Sequence, residues 1–188
     1  EFNPQGIIHL AAESHVDNSI SNPNIFAETN VIGTLNLLNL ALKYKVERFH
    51  HVSTDEVFGS LSLTEPSSVE NSLYKPRSPY SASKASSDHF VSSFYHTFGL
   101  NTVMTNCSNN FGPHQHDEKL LPTIIRNLVN RDDIPVYGDG KNIRDWLYVE
   151  DHCTAIDLVF HEGRSGESYN IGGDMELTNL EIIDKISF

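Results

Sequence analysis

Between Arg48 and Lys84 the sequence carries two elements that restrict the fold more than anything else in the chain. The first is a short strand, Arg48 to Ser53, running into Thr54-Asp55-Glu56. The second is a helix opened by Pro79, in which Tyr80 and Lys84 stand four residues apart and share one face. A strand with polar side chains at its carboxyl end, followed by a helix, belongs to an open α/β sheet, and ligands bind at such strand ends. The residue types suit chemistry. An ammonium beside a phenol favours the phenolate, so Lys84 is expected to lower the pKa of Tyr80 and make it a base near neutral pH. Two adjacent carboxylates, Asp55 and Glu56, suggest a separate acid and base. Neither piece carries function alone, because Tyr-x-x-x-Lys is common on helix surfaces and Asp-Glu is common in turns. Their conjunction does.

The rest of the chain alternates strand and helix signals. Ile7 to Ala12 is an apolar run that reads as a buried strand. Asn24 to Tyr44 reads as a long helix, with Pro23 near its start and Ile25, Ile32, Leu35, Leu38, Ala41 and Leu42 at helical spacing. Val46 to Ser53 is the next strand, and Gly59 to Ser78 a loop. The helix from Pro79 runs to about Thr97, with Phe90, Val91 and Phe94 as its buried face and Gly99 as its C-cap. Thr102 to Asn106 is a strand leading into Cys107-Ser108-Asn109-Asn110-Phe111-Gly112-Pro113, whose amides suit hydroxyls and phosphates. Helix signals follow at Leu120 to Asn130 and Glu150 to Phe160. Strand signals fall at Ile134 to Tyr137, Asn142 to Val149 and Ser168 to Ile171, and Thr178 caps a last helix. Arg144 and Lys119 are basic side chains that suit a diphosphate. His114 and His116 lack a third ligand at usable spacing, so no metal site is expected.

A chain of 188 residues buries one core, or a core and a small lobe. Its net charge of −12 argues against nucleic acid or an anionic membrane as the main partner. Cys107 and Cys153 give no disulfide framework and read as reduced thiols of a cytoplasmic protein. No apolar run reads as a transmembrane segment.

Four blocks carry a resemblance over nearly the whole chain. They are Ser53-Thr54-Asp55-Glu56-Val57, Tyr80-Ser81-Ala82-Ser83-Lys84, Asn106-Cys107-Ser108-Asn109-Asn110 and Arg144-Asp145-Trp146-Leu147-Tyr148. With them the sequence resembles the extended short-chain dehydrogenase/reductase family, in its sugar-nucleotide 4,6-dehydratase branch. The resemblance implies an α/β fold, a Rossmann-like doubly wound parallel sheet with a smaller C-terminal substrate-binding lobe. Residues 1–112 would be part of an NAD-binding domain, and residues 113–188 mainly the substrate lobe, interleaved with it. Ile7 to Ala12 would be the family's fourth strand. No Gly-x-Gly-x-x-Gly turn is present, so the expectation is a fragment lacking the first strands, cut at both ends and inactive by itself.

The implied activity is NAD-dependent conversion of dTDP-glucose to dTDP-4-keto-6-deoxyglucose. Tyr80, tuned by Lys84, would take the C4 hydroxyl proton, and Thr54 would hydrogen-bond the C4 oxygen. Glu56 would remove the C5 proton, and Asp55 would protonate the departing C6 hydroxyl. Leu10, Ala11, Ala12, Glu13, Ser14, Thr29, Tyr80, Lys84 and Asn110 would contact NAD. Ser14, Thr54, Asn109, Lys119, Leu120, Pro135, Val136, Tyr137, Arg144 and Asn179 would contact the sugar nucleotide. The longer protein would be a homodimer. Phe58 and Phe111 stand where the family usually has tyrosine, which leaves these roles intact. A UDP-glucose dehydratase, a sugar-nucleotide epimerase or an inactive oligomerising fragment are the competing readings. The acid pair favours dehydration over epimerisation, which needs no elimination of water.

Overall fold

The computed structural model describes residues 4–62, 64–136 and 138–187. The chain divides into two compact units: residues 1–107 with 155–171, and residues 108–154 with 172–188.

The first unit is built on a four-stranded parallel sheet. Its strands are β1 (Gly6–His9), β2 (Arg48–Thr54), β3 (Thr102–Cys107) and β6 (Ser168–Ile171), in the order β1-β2-β3-β6. Parallel neighbours require crossover connections, and helices supply them. The first crossover holds the short helix α1 (Val16–Ser21), then α2 (Pro23–Phe26), a π-helical turn (Ala27–Ile32) and α3 (Gly33–Lys43). The second is α4 (Pro79–Phe98). Leu38 and Ala41 of α3 and Val91 and Phe94 of α4 bury against Phe49 of β2 and Met104 of β3. Fully burying side chains of this size stabilises by roughly 1.5–3 kcal/mol each, which holds both helices on the sheet.

The end of α4 follows from its sequence. Gly99 sits in the left-handed region at φ 68° and donates its N–H to Tyr95 O at 2.9 Å. At its start Ser78 and Ser81 form a reciprocal cap, with Pro79 in the first turn.

The second unit has a three-stranded sheet of β4 (Asn109–Phe111), β5 (Ile143–Tyr148) and β7 (Glu176–Thr178). β5 is parallel to β4 and antiparallel to β7. The helices α5 (Leu120–Asn130) and α7 (Asn179–Ser187) bury Ile124 and Ile182 with Trp146 of β5. The helix α6 (Val149–Glu162) begins in this unit and ends in the first. There Arg48 donates to the carbonyls of Phe160, His161 and Gly163, satisfying the end of the helix.

Several expectations need correction. The first strand is Gly6–His9, not Ile7 to Ala12; Ile8 is 41% exposed, and among the described residues β1 pairs with β2 alone. The long helix is interrupted by its π turn. Phe90 lies on the surface of α4, 37% exposed, while Val91 and Phe94 are buried in the cluster on the sheet. Ile134 to Val136 forms no strand: Ile134 packs on the Trp146 cluster while Pro135 and Val136 are exposed. Tyr137, placed in that strand and in the sugar-nucleotide site, lies outside the described residues. The segment Pro23–Lys43 is, by length and composition, apolar enough to cross a membrane. Its Leu38 and Ala41 are instead core residues, and Asn30 and Thr34 within it are buried and hydrogen-bonded. α1, β4 and β7 gave no sequence signal: α1 has no capping side chain, and β4 and β7 have three residues each.

Candidate active site

β2 ends at Thr54, and the chain turns at once into a 3-10 helix, Asp55–Phe58. The Thr54 hydroxyl accepts the Glu56 N–H at 3.3 Å, so the threonine caps the turn that carries both acids. Val57 and Phe58 bury against Ala85 of α4, and Phe58 meets Tyr74 edge-on at 5.3 Å. Gly59 leaves the turn at φ 89°, where a Cβ would lie 2.4 Å from the Lys75 carbonyl oxygen. The close backbone approach requires glycine there. Asp55 and Glu56 are thereby held half-buried at the carboxyl end of β2.

The first turn of α4 brings Tyr80 to the same place. Its ring lies edge-on to Phe26 at 6.4 Å, and its hydroxyl lies near the Thr54 side chain. Burial pushes the Tyr80 pKa up, and the charges of Glu56, Cys107 and Asp55 push it further. The structure therefore joins Thr54, Asp55, Glu56 and Tyr80 as one group. It does not show the expected depression of the Tyr80 pKa by Lys84. The Lys84 ammonium is turned inward, donating to the Val52 carbonyl at 2.9 Å and lying 3.4 Å from His51 Nε2. Only 4% of its surface is exposed, and burial lowers its pKa.

Leu10 to Ser14 follow β1 at the carboxyl end of the sheet, with Leu10, Ala11 and Ser14 exposed. Asn30 clamps this loop. Its side chain accepts the Glu13 N–H at 2.8 Å and donates to the Glu13 carbonyl at 2.9 Å. It also donates to the Ser83 hydroxyl, which in turn donates to the Tyr80 carbonyl. The π turn supports the clamp, for the Asn30 carbonyl accepts the hydroxyls of Thr34 and Ser87. Thr29, expected to contact a cofactor, is half-buried in the same turn.

In the second unit, Asn109 and Asn110 are half-buried on β4, in register with Trp146 and Leu147. Arg144 is exposed on β5. Lys119 is the half-buried N-cap residue of α5, and Asn179 is the half-buried first residue of α7. Leu120, expected at the ligand, is half-buried and packs on the Trp146 cluster.

Sequence reasoning missed a second set around Lys84. Asp88 is buried and accepts the hydroxyls of Ser53 at 2.9 Å and Tyr74 at 3.0 Å. His51 Nε2 lies 3.3 Å from its other oxygen. Extending the four-residue spacing of Tyr80 and Lys84 by one step reaches Asp88, and that was the available signal.

A family model described as GDP-mannose 4,6 dehydratase matches residues 1–188. The chain is 52% identical to dTDP-glucose 4,6-dehydratase of Haemophilus influenzae, over 99% of this chain and 58% of that protein. It is 50% identical to the Salmonella typhimurium enzyme of the same name, over 97% and 55%. The chain thus spans a little over half the length of these curated relatives. Among solved structures, DesIV (dTDP-glucose 4,6-dehydratase) of Streptomyces venezuelae, with NAD bound, superposes with a TM-score of 0.94 at 49% identity, covering 97% of this chain and 56% of that one. UDP-glucose 4-epimerase of Thermotoga maritima gives a TM-score of 0.91 at 29% identity, covering 98% and 61%.

Proposed function

This chain belongs to the GDP-mannose 4,6 dehydratase family, and on that premise we propose that it is the catalytic part of an NAD-dependent dTDP-glucose 4,6-dehydratase. The observation that carries the reading is the meeting of Thr54, Asp55, Glu56 and Tyr80 at one strand end. The identities of about half with dTDP-glucose dehydratases, against 29% with the epimerase, support it.

The first unit is the part that holds NAD. The exposed loop Leu10 to Ser14 follows a parallel strand and is pinned by Asn30 beside the Tyr80 turn, which fits a dinucleotide lying along it. Thr29, Lys84 and Asn110 complete the proposed contacts. When bound, NAD supplies a hydride acceptor for C4 and a donor for C6. Tyr80 takes the C4 hydroxyl proton, and Thr54 hydrogen-bonds the C4 oxygen. Glu56 removes the C5 proton that a C4 ketone acidifies, and Asp55 protonates the leaving C6 hydroxyl. Neighbouring carboxyl groups in opposite protonation states need different surroundings, and the capped 3-10 turn gives each its own position. The second unit is the sugar-nucleotide lobe. Arg144 and Lys119 face the diphosphate, with Ser14, Asn109, Leu120, Pro135, Val136 and Asn179 around the nucleotide. The working enzyme is a cytoplasmic homodimer.

The test is product identity. The enzyme carrying this chain, incubated with NAD+ and dTDP-glucose, should yield a 4-keto-6-deoxy sugar with loss of one water. A 4-epimer that retains its C6 hydroxyl would refute the reading. These 188 residues contain no glycine-rich phosphate turn, whose N–H groups bind a pyrophosphate. By themselves they should bind NAD+ weakly and lack dehydratase activity, and calorimetric titration checks the first point. Micromolar binding would contradict it.

A further inference from the structure

Lys84 raises a problem of charge. It is an ammonium with 4% of its surface exposed, and a buried charge is costly unless an opposite charge lies near. The groups around it come from every element packed there. β1 offers His9, β2 offers His51, α4 itself offers Asp88 and β3 offers Cys107, while Tyr74 of the preceding loop donates to Asp88. Glu56 and Asp55, on the 3-10 turn, act on Tyr80. His9 and His51 are held neutral, with pKa values lowered to about 4 by burial and by Lys84 itself. Tyr74 keeps its proton, because burial and Asp88 raise its pKa. Asp88 is the carboxylate of this set, and it is held ionised by His51, Lys84 and Ser53 against the opposing effect of burial.

The geometry makes Asp88 more than a nearby charge. Ser53 from β2 and Tyr74 from the loop both donate to Oδ2, fixing the carboxylate from two sides. That leaves Oδ1 toward His51 Nε2 at 3.3 Å, and the same nitrogen lies 3.4 Å from Lys84 Nζ. Asp88 and Lys84 thus flank one neutral imidazole on one helix face, and the Val52 carbonyl takes a further ammonium hydrogen. We propose that Asp88 is a positioning residue: it is the buried countercharge of Lys84 and, with His51 between them, fixes where the ammonium stands beside the Val52 carbonyl. This rests on the reading of Lys84 as a residue of the NAD site.

The experiment is an NMR pH titration of the lysine Cε resonances in the holoenzyme, with Lys84 assigned through Lys84→Arg. In Asp88→Asn the Lys84 midpoint should fall by about one pH unit or more, a loss of tenfold or more in proton affinity. Asp88→Glu should restore much of it. Tyr74→Phe keeps the charge and should move the midpoint little. A folded Asp88→Asn protein with an unchanged midpoint would overturn the proposal. The wild-type protein gives a check independent of variant folding, for the Asp88 Cγ resonance must report an ionised carboxyl at neutral pH. A protonated Asp88 there would also overturn it. NAD+ affinity measured across pH separates the two readings. In Asp88→Asn its alkaline limb should move down in step with the Lys84 midpoint. A Lys84 midpoint that moves while NAD+ affinity does not would leave the countercharge standing and remove Lys84 from the NAD site.

Discussion

The two units place their polar residues in opposite ways. In the first, Ser53, Thr54, Lys84 and Asp88 are buried and tied to one another or to backbone. They sit on β2 and α4, whose apolar faces are locked by Phe49, Val91 and Phe94. In the second, Arg144 is exposed on a three-stranded sheet, and Lys119 and Asn179 are half-buried at helix starts. Buried polar groups must satisfy one another within the fold, so their geometry exists before any ligand arrives. Arg144 donates to the adjacent Ile143 carbonyl and, being exposed, stays open to a charged ligand. The contrast teaches a division of labour: rate should depend on the first unit, and affinity and substrate choice on the second.

The largest effects should break the first unit's chemistry. Tyr80→Phe should abolish C4 oxidation, and Asp55→Asn should slow elimination by about 10²–10⁴-fold while leaving sugar-nucleotide binding near normal. Stopped-flow detection of reduced nicotinamide reads the former, and steady-state product formation the latter. Reduced cofactor forming in Tyr80→Phe at the wild-type rate would end the division.

Arg144→Ala should do the reverse. Losing a charge-assisted contact to a diphosphate costs roughly 1.5–3 kcal/mol, which is about ten- to a hundredfold in affinity. KM should rise and kcat change little. A kcat loss without a KM change would move Arg144 into the chemistry.

A third difference lies in acid sensitivity. His9 and His51 carry pKa values lowered to about 4 from 6.5. The unfolded chain therefore takes up these protons first as pH falls. The stability is intact above pH 6.5 and is lost progressively as pH falls toward 4. The loss should be on the order of 1–3 kcal/mol per ring, less where the two rings share the cost. Denaturant unfolding at several pH values measures it, and His51→Gln should flatten the slope.

The smallest effect sharpens the second unit alone. Thr178 and Glu181 form a reciprocal cap at the start of α7. Thr178→Ala should cost about 0.5–2 kcal/mol and raise amide exchange in α7, leaving the first unit unchanged.

Much of the first unit was legible because its signals are local. Helical spacing marked α4, Gly99 marked its end, and the acid pair marked the end of β2. The acid–Tyr80 cluster followed because strand end and helix start must meet in an α/β crossover. The direction of Lys84 was not legible. Its ammonium turns toward Val52, His51 and Asp88, and those contacts join residues 32 or more positions apart or lie on a helix face beyond the motif. Asn30 was seen only as a helix residue, since nothing local announces a π turn or a clamp on Glu13. The second unit was read less well. Its strands β4 and β7 have three residues each, too few to show a period.

The most direct measurement of the division is solvent exchange at C5. The enzyme carrying this chain is incubated in D2O with NAD+ and dTDP-glucose, and the sugar is followed by NMR, for wild type, Glu56→Gln and Arg144→Ala. Wild type should place deuterium at C5 of the 4-keto-6-deoxy product. Arg144→Ala should do so at saturating substrate with nearly the same rate, and Glu56→Gln should show no exchange at C5. Exchange at the wild-type rate in Glu56→Gln would contradict the assignment of the chemistry to the first unit's strand end.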